Sequence, residues 1–202
     1  MSRLAHEAPR RFHQSRCLIS EEVGYVDHPS RFCLFPFAGE AIRLLNDNDW
    51  LAIVVTNQSG VARGYFPEAM IHAVHNRLKD ELESGGARLD AIYYCSHHPT
   101  IGHPPYRLDC DCRKPKPGLI HRALKDFDVD LSRSWVIGDR YVDVELAGNA
   151  GLRSALVMTG YGREEWEHQR NSWQTQPDIL AEDLLEAVLR ITKAPLRVGD
   201  AE

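Results

Sequence analysis

The sequence predicts an α/β protein with a parallel, Rossmann-like sheet that is covered by helices on both faces. Continuous apolar runs of strand length alternate with segments of helical apolar spacing along most of the 202 residues. Short runs without polar interruption are typical of strands that are buried on both faces. Strand–helix alternation in turn favours a parallel sheet over a sandwich or a helical bundle.

The predicted strands share a run of three or more apolar residues, and they occupy residues 50–56 (WLAIVVT), 91–94, 134–138 and 154–158. The predicted helices share an apolar repeat of three to four positions, and they occupy residues 37–46, 67–84, 117–127, 142–150 and 183–191. Pro117 suits the first turn of its helix because proline has no N–H to leave unbonded there. The polar stretch 162–176, with Trp166 and Trp173, is predicted to be a surface helix and loop.

Composition restricts the class of protein. With 43% hydrophobic and 26% charged residues, the chain resembles an ordinary globular domain. A net charge of −5 gives no basic excess for phosphate backbones, so we expect no nucleic-acid partner. No apolar run reaches membrane-spanning length and no signal-peptide core is present, which predicts a cytoplasmic protein that does not bind membranes. We expect a monomer.

Cysteine and histidine cluster in one region. Cys95 and His97 form a C-x-H pair, and Cys110 and Cys112 form a C-x-C pair after a twelve-residue loop. Thiolate and imidazole suit tetrahedral zinc, and four protein ligands leave no open position for water, so a structural zinc is expected. His98 is the substitute ligand if His97 is not one, and the alternative is a set of reduced cysteines without metal. Only Cys17 and Cys33 lie outside the cluster, which fits a reducing compartment.

The predicted strand 50–56 ends in polar residues that are suited to phosphate. Thr56, Asn57 and Gln58 begin the sequence TNQSG, whose hydroxyl, amides and backbone N–H groups suit phosphate oxygens. Directly behind the last cysteine, Lys114 supplies a point charge and Arg113 can hold a second anionic group with two parallel bonds. Because ligands of such sheets bind beyond the carboxyl ends of the strands, these groups are expected to converge.

Two carboxylates follow the predicted strand 134–138. Asp139 comes directly after Gly138, and Asp143 lies four residues further on. This spacing suits Mg²⁺, with Asp139 as a ligand and Asp143 orienting the groups around it. Arg63 has two interpretations, since it can reach the substrate or cap the loop after Gly60.

Four segments resemble the haloacid dehalogenase (HAD) phosphatases: VVTNQSGVARG, YYCSHHP, CDCRKPKPG and VIGDRYVD. More narrowly, the chain resembles the branch of heptose bisphosphate phosphatases and the related histidinol-phosphatase domain. The resemblance covers residues 18–192, with a zinc loop at 95–117; residues 1–17 are atypical and residues 193–202 form a tail. It implies a Mg²⁺-dependent phosphomonoesterase without a large cap domain, acting on a small phosphorylated sugar.

By this resemblance, Thr56 and Asn57 bind the transferring phosphoryl group and Lys114 neutralises it. Asp139 ligates Mg²⁺, and Arg113 takes part in substrate recognition. The zinc ligands implied are the four already named: Cys95, His97, Cys110 and Cys112.

The N-terminal segment departs from the family pattern, which has an apolar strand ending in D-x-D-G-T. Counting back from residues 24–26 (GYV), the nucleophilic aspartate falls on Gln14 and the acid/base aspartate on Arg16. Gln14 has no anionic oxygen, and Arg16 keeps its proton at neutral pH. The preceding residues 9–13 (PRRFH) are also too polar for a central strand.

Two hypotheses explain the departure. In the first, the chain is a pseudoenzyme that binds a phosphosugar without turnover. In the second, residues 1–17 are a frame-shifted reading, because RRFHQSR can be encoded so that a one-base shift reads AVFINRD, one base from the family-like AVFIDRD. The implied substrate is heptose 1,7-bisphosphate, at its 7-phosphate, with histidinol phosphate or another small phosphomonoester as the alternative.

Overall fold

The computed structural model describes residues 18–20 and 28–193, and its strands alternate with helices as the sequence predicts. The helices are α1 (Pro36–Asp47), α2 (Glu68–Ser84), α3 (Gly118–Asp126), α4 (Tyr141–Ala150), α5 (Gly162–Gln169) and α6 (Leu184–Lys193). The strands are β1 (Ile53–Asn57), β2 (Ala91–Cys95), β3 (Trp135–Gly138), β4 (Arg153–Val157) and β5 (Ile179–Ala181). The α/β prediction is confirmed.

Every strand pair in the described part of the chain is parallel. β1 pairs with β2, from Ile53 opposite Ala91 to Asn57 opposite Cys95. β4 lies between β3 and β5 in a second, three-stranded group. Among residues 18–20 and 28–193 no ladder joins β1 to β3, so each of these two strands has a strand partner on one side only.

Helices on both faces tie the two groups of strands together. On one face, Ile42 of α1 packs in a cluster with Val54 of β1, whereas Ala41 packs with Ile137 of β3 and with α6. On the other face, Val55 of β1 contributes to the cluster around Val136 of β3. The carboxyl ends of β1 and β3 therefore lie at the same end of the molecule, where ligands of parallel sheets bind.

Three details differ from the predicted elements. β1 begins at Ile53 rather than at residue 50, because the N–H of Trp50 turns back to Leu45 O at the end of α1. β5, with only three residues, is too short to give a periodic signal. Trp173 is not at the surface: it is 8% exposed and stacks on Tyr141 with ring centroids 4.5 Å apart.

The predictions for Gln14, Arg16 and Cys17 fall outside the described residues. Within the described ranges, no helix is long and apolar enough to cross a membrane. These residues also contain no separate cap domain, since the 95–117 loop is the only long insertion between described strands and helices.

Candidate active site

Asn57 connects the end of β1 to Lys114. Its Oδ1 accepts a hydrogen bond from the backbone N–H of Lys114 at 3.0 Å, and its Nδ2 donates to Lys114 O at 3.2 Å. One amide side chain thus pairs with both backbone groups of a residue 57 positions away, which places Lys114 at the carboxyl end of β1. Because this side chain is engaged, contact between Asn57 and a phosphoryl group stays a prediction.

Thr56 and Gln58 lie next to each other at the same end of the strand. Gln58 Nε2 donates to Thr56 Oγ1 at 3.3 Å, and the backbone N–H of Gln58 donates to Cys95 O at 2.7 Å. The β2 contact continues the ladder by one step and holds the start of the TNQSG loop. Both residues are half-buried.

Lys114 forms a buried ion pair with Asp143. Lys114 Nζ lies 2.6 Å from Asp143 Oδ1, and the two side chains are 15% and 8% exposed. Asp143 packs so closely on Gly138 that a Cβ there would lie 2.2 Å from the Asp143 Cβ. Only glycine permits this contact between the end of β3 and the first turn of α4, so Gly138 brings Asp143 next to Asp139.

Asp139 is half-buried, and its carboxyl group has few partners. Its Oδ2 accepts one hydrogen bond from the Tyr161 N–H at 3.3 Å. Burial, and next the charge of Asp143, raise the pKa of Asp139 to about 7. Two carboxyl groups therefore share a pocket in which Lys114 supplies the nearby positive charge.

This imbalance fits a divalent cation. The buried carboxyl group of Asp143 and the half-buried one of Asp139, with one ammonium, retain an excess negative charge when both are ionised, and a hard cation prefers carboxylate oxygens. Asp139 and Asp143 are the described residues that could hold Mg²⁺.

The thiols and the imidazole of the 95–117 loop form a compact cluster. The ligand atoms of Cys95, His97, Cys110 and Cys112 all lie within 4.8 Å of one another. The Sγ atoms of Cys95 and Cys110 are 3.5 Å apart and those of Cys110 and Cys112 are 3.0 Å apart. His97 Nδ1 lies 3.8 Å from Cys95 Sγ and 3.5 Å from Cys112 Sγ.

These separations fit one tetrahedral ion. Zinc–sulfur bonds of about 2.3 Å at the tetrahedral angle place two sulfurs about 3.8 Å apart. Burial opposes ionisation, but hydrogen bonds from Cys112, Cys95 and His97 lower the pKa of Cys110 to about 7. Burial and the neighbouring thiols raise the pKa of Cys112. The cluster has the ligand number and chemistry of a structural zinc site.

The thiol and imidazole cluster also positions Arg113 and Lys114, the two cationic residues that come directly after Cys112 in the sequence. Arg113 comes directly after Cys112, and its Nη1 donates to His97 O at 3.0 Å. The guanidinium of Arg113 is therefore fixed to the backbone of a candidate ligand. Disorder in this loop would release Arg113 and Lys114 together.

Arg63 and His98 meet beside Arg113. His98 Nδ1 accepts hydrogen bonds from the N–H groups of Thr100 and Ile101 at 3.2 and 3.1 Å. This network assigns the proton of a neutral ring to Nε2, which lies 3.4 Å from Arg63 Nη2. Burial and the charges of Arg113 and Arg63 lower the pKa of His98, which agrees with a neutral ring.

The Arg63 guanidinium consequently faces the N–H of His98 Nε2, which is a hydrogen-bond donor and not an acceptor. Its Nε is also buried and has no hydrogen-bond partner among the described residues. His98 lies outside the cluster of candidate zinc ligands, because its Nδ1 is used by the loop backbone. Arg63 and Arg113 thus form a positive corner that is suited to an anion.

Three residues of the site were not predicted from the sequence. Arg140 follows Asp139 directly, and its Nε donates to Glu165 Oε1 at 2.9 Å. Its guanidinium also lies over the ring of Tyr161, 4.4 Å from the centroid. Glu165 was expected on a surface helix but is only 7% exposed. No motif marks these contacts, because they join α4 to a segment more than 20 residues away.

Together, the fold and the site define a HAD-like hydrolase. A family model described as HAD-hydrolase-like matches residues 111–187. The D-glycero-D-manno-heptose-1,7-bisphosphate 7-phosphatase of Thermosynechococcus vestitus is 41% identical over 180 residues, covering 85% of this chain and 89% of that protein. The D-glycero-beta-D-manno-heptose-1,7-bisphosphate 7-phosphatase of Haemophilus ducreyi is 41% identical over 139 residues, covering 68% and 76%.

A solved structure agrees with these relatives. The crystal structure of D,D-heptose 1,7-bisphosphate phosphatase from B. bronchiseptica, complexed with magnesium and phosphate, superimposes with a TM-score of 0.74. It is 30% identical, and the match covers 87% of this chain and 93% of that chain. The chain belongs to the heptose-1,7-bisphosphate 7-phosphatase family of HAD-like hydrolases.

Proposed function

We propose that residues 18–193 are the substrate- and metal-binding part of a phosphatase for heptose 1,7-bisphosphate, and that the chain as written binds this substrate without turning it over. The observation that carries the proposal is the convergence of Lys114, Asp139 and Asp143 at the carboxyl ends of β1 and β3. The names of the relatives support the choice of substrate.

At the reacting end, Lys114 neutralises the 7-phosphoryl group and Thr56 donates its hydroxyl to it. The Asn57 side chain supports this end by fixing the backbone of Lys114. When bound to Asp139, Mg²⁺ supplies charge neutralisation to the phosphoryl oxygens. The magnesium and phosphate in the B. bronchiseptica structure support both ligands.

At the distal end, Arg63 and Arg113 bind the second phosphate of the substrate. Arg63 has a buried Nε with no described acceptor, and the neutral His98 ring does not compensate its charge. An anion therefore gains charge-assisted hydrogen bonds without having to displace a carboxylate. This arrangement favours a bisphosphate over histidinol phosphate, which carries a cationic amine at its far end.

The zinc of this proposal is structural and has no part in the chemistry. Cys95, His97, Cys110 and Cys112 use all four positions of a tetrahedral ion, so none is left for water or substrate. Its effect on the site is indirect, through the loop that carries Arg113 and Lys114. Reduced thiols need a reducing compartment, from which we infer a cytoplasmic protein, and we infer a monomer because one chain carries the whole binding site.

Turnover requires two groups that the chain does not have at the corresponding positions. In the family reaction an aspartate oxygen attacks phosphorus, the bond from phosphorus to the sugar oxygen breaks, and a second aspartic acid gives that oxygen its proton. Water then hydrolyses the aspartyl phosphate. Gln14 cannot attack as an anion, and Arg16 cannot give up a proton at neutral pH.

The test is restoration of both carboxylates. Purified full chain carrying Gln14→Asp and Arg16→Asp should release phosphate from heptose 1,7-bisphosphate in a Mg²⁺-dependent way, whereas the unaltered chain should not exceed background. If the polar residues before them prevent the segment from docking, Arg10, Arg11 and His13 must also be replaced by apolar residues. One aspartate alone should be insufficient, because nucleophile and acid/base act as a unit.

The matched control carries Gln14→Asn and Arg16→Asn, which have nearly the shape of the aspartates but no carboxylate. It should stay at background while it binds the substrate. Robust turnover by the unaltered chain, after rigorous removal of contaminating phosphatase, would show that another residue is the nucleophile. The same result would reject the pseudoenzyme hypothesis.

A further inference from the structure

Glu165 is a buried carboxylate that holds the start of α4. Its Oε2 accepts a hydrogen bond from the Tyr141 N–H at 2.6 Å, and its Oε1 accepts one from Arg140 Nε at 2.9 Å. No side chain of α4 itself caps this end of the helix. Glu165 therefore replaces a local cap and at the same time fixes a cation beside the carboxyl pair.

Arg140 is the cation that Glu165 fixes. It follows Asp139 in the sequence, and its side chain is half exposed, so it has both the length and the freedom to turn toward Asp139. In the structure it lies instead on the ring of Tyr161 and pairs with Glu165. Among the described residues, Lys114 rather than Arg140 is therefore the cation that lies within ion-pair distance of the Asp139–Asp143 pocket.

The position of Glu165 depends on close packing at the start of α5. A Cβ on Gly162 would lie 1.7 Å from Val157 O, so only glycine allows the first residue of α5 to press against the end of β4. Glu165 is three residues, or nearly one turn, further along, and this contact directs its side chain toward the start of α4. Tyr161, immediately before Gly162, donates its N–H to Asp139.

We propose that Glu165 is a positioning residue that keeps Arg140 away from Asp139 and Asp143, and so leaves Asp139, and the Asp143 oxygen that Lys114 does not bind, free for Mg²⁺. The inference rests on the proposed magnesium site. Without Glu165, Arg140 has beside it in the chain the carboxyl group of Asp139, which has no ion-pair partner among the described residues, whereas Asp143 is paired with Lys114. A guanidinium bound there would compete directly with the metal ion, since both need the same oxygens.

The experiment is a double-mutant cycle that measures Mg²⁺ affinity by calorimetry. The parent is the full chain carrying Gln14→Asp and Arg16→Asp, and the variants are Glu165→Gln, Arg140→Gln and both together. Glu165→Gln alone should weaken Mg²⁺ binding about tenfold, the usual scale for a residue that orients metal ligands. The double variant should return to within about twofold of Arg140→Gln, because the competing cation is gone.

Glu182→Gln is the matched control, since it breaks the exposed ion pair between Glu182 and Arg163 of α5 and should leave Mg²⁺ affinity unchanged. An equal loss of affinity with and without Arg140 would overturn the proposal, because it would mean that Glu165 acts only as a helix cap. Unchanged affinity in Glu165→Gln would overturn it as well.

If Glu165→Gln does not fold, the Mg²⁺ affinity of Arg140→Gln alone still tests the proposal. It should leave Mg²⁺ affinity within about twofold of the parent, and a gain of about tenfold or more would show that Arg140 competes even beside Glu165. A parent that binds Mg²⁺ without turnover removes the proposed phosphatase function but not the role of Glu165. A parent that binds no Mg²⁺ overturns the role of Glu165 together with the magnesium site.

Discussion

Lys114 Nζ lies 2.6 Å from Asp143 Oδ1, and this ion pair joins the zinc-type loop to the first turn of α4. Both side chains are largely buried, and Asn57 fixes the Lys114 backbone from the end of β1. Lys114 therefore links the β1–β2 pair to the β3–β4–β5 group, which no ladder among the described residues connects. It is also the proposed partner of the reacting phosphate, so its loss should affect both stability and binding.

Lys114→Met should destabilise the protein by about 3 kcal/mol, because it leaves Asp143 buried without its partner. It should also abolish measurable binding of inorganic phosphate. Urea denaturation and calorimetry provide the two measurements. Lys116→Met is the control: its pair with Asp109 is exposed, and it should change neither quantity appreciably. Equal stability of the Lys114 and Lys116 variants would contradict the importance of the buried pair.

Purified protein should carry about one zinc ion per chain, and Cys110→Ser should remove it. The substitution deletes one of four ligands and should loosen the loop that carries Arg113 and Lys114, so phosphate affinity should fall with the metal content. Elemental analysis measures the zinc directly. Cys33→Ser, at an exposed cysteine outside the cluster, should keep full zinc content. Cleanly folded protein without zinc would reject the site.

The raised pKa of Asp139 predicts a pH-dependent stability. The folded chain keeps the Asp139 proton up to about pH 7, whereas an unfolded aspartate loses it near about pH 3.9. Between these values the folded state binds more protons, so this carboxyl lowers the free energy of unfolding as the pH rises from about 4 to about 7. Asp139→Asn removes the effect.

Urea denaturation at pH 5 and pH 8 tests this sign. The free energy of unfolding of Asp139→Asn, minus that of the unaltered chain, should be more positive at pH 8 than at pH 5.

Mg²⁺ binding should be weak in the chain as written, because Gln14 replaces a carboxylate ligand of the family pattern, and Asp139→Asn should weaken it further. Tight Mg²⁺ binding that Asp139→Asn does not change would place the ion elsewhere.

Arg63→Met should reduce affinity for heptose 1,7-bisphosphate about tenfold, the equivalent of one lost charge-assisted hydrogen bond. Affinity for heptose 7-phosphate should stay within about twofold, because that ligand has no phosphate for the distal corner. Calorimetry measures the affinity for both ligands, with Gln14 and Arg16 left in place in every variant so that turnover does not interfere. Arg107→Met, at an exposed arginine of the 95–117 loop, is the control. An equal loss for both ligands would assign Arg63 to the reacting end or to folding.

The sequence by itself determined the order of strands and helices, the zinc-type ligand set and the polar residues at the ends of β1 and β3. Each of these is a local signal: an apolar run, a C-x-H or C-x-C pair, or a residue that directly follows a strand. That Gln14 and Arg16 stand where the family has its two aspartates follows from counting along the chain and stays a prediction. Local patterns failed where an element was short, as in β5.

Only the tertiary structure decided which of these groups touch. The Asn57 amide is occupied by Lys114, 57 residues away, and Glu165 reaches Arg140 across 25 residues. Whether a glutamate in a polar segment is solvated or buried depends on the packing of α5 against β4, which the local sequence pattern does not show. Contacts of this kind arise when separate elements pack into one core, so their partners and their charges become visible only in the folded chain.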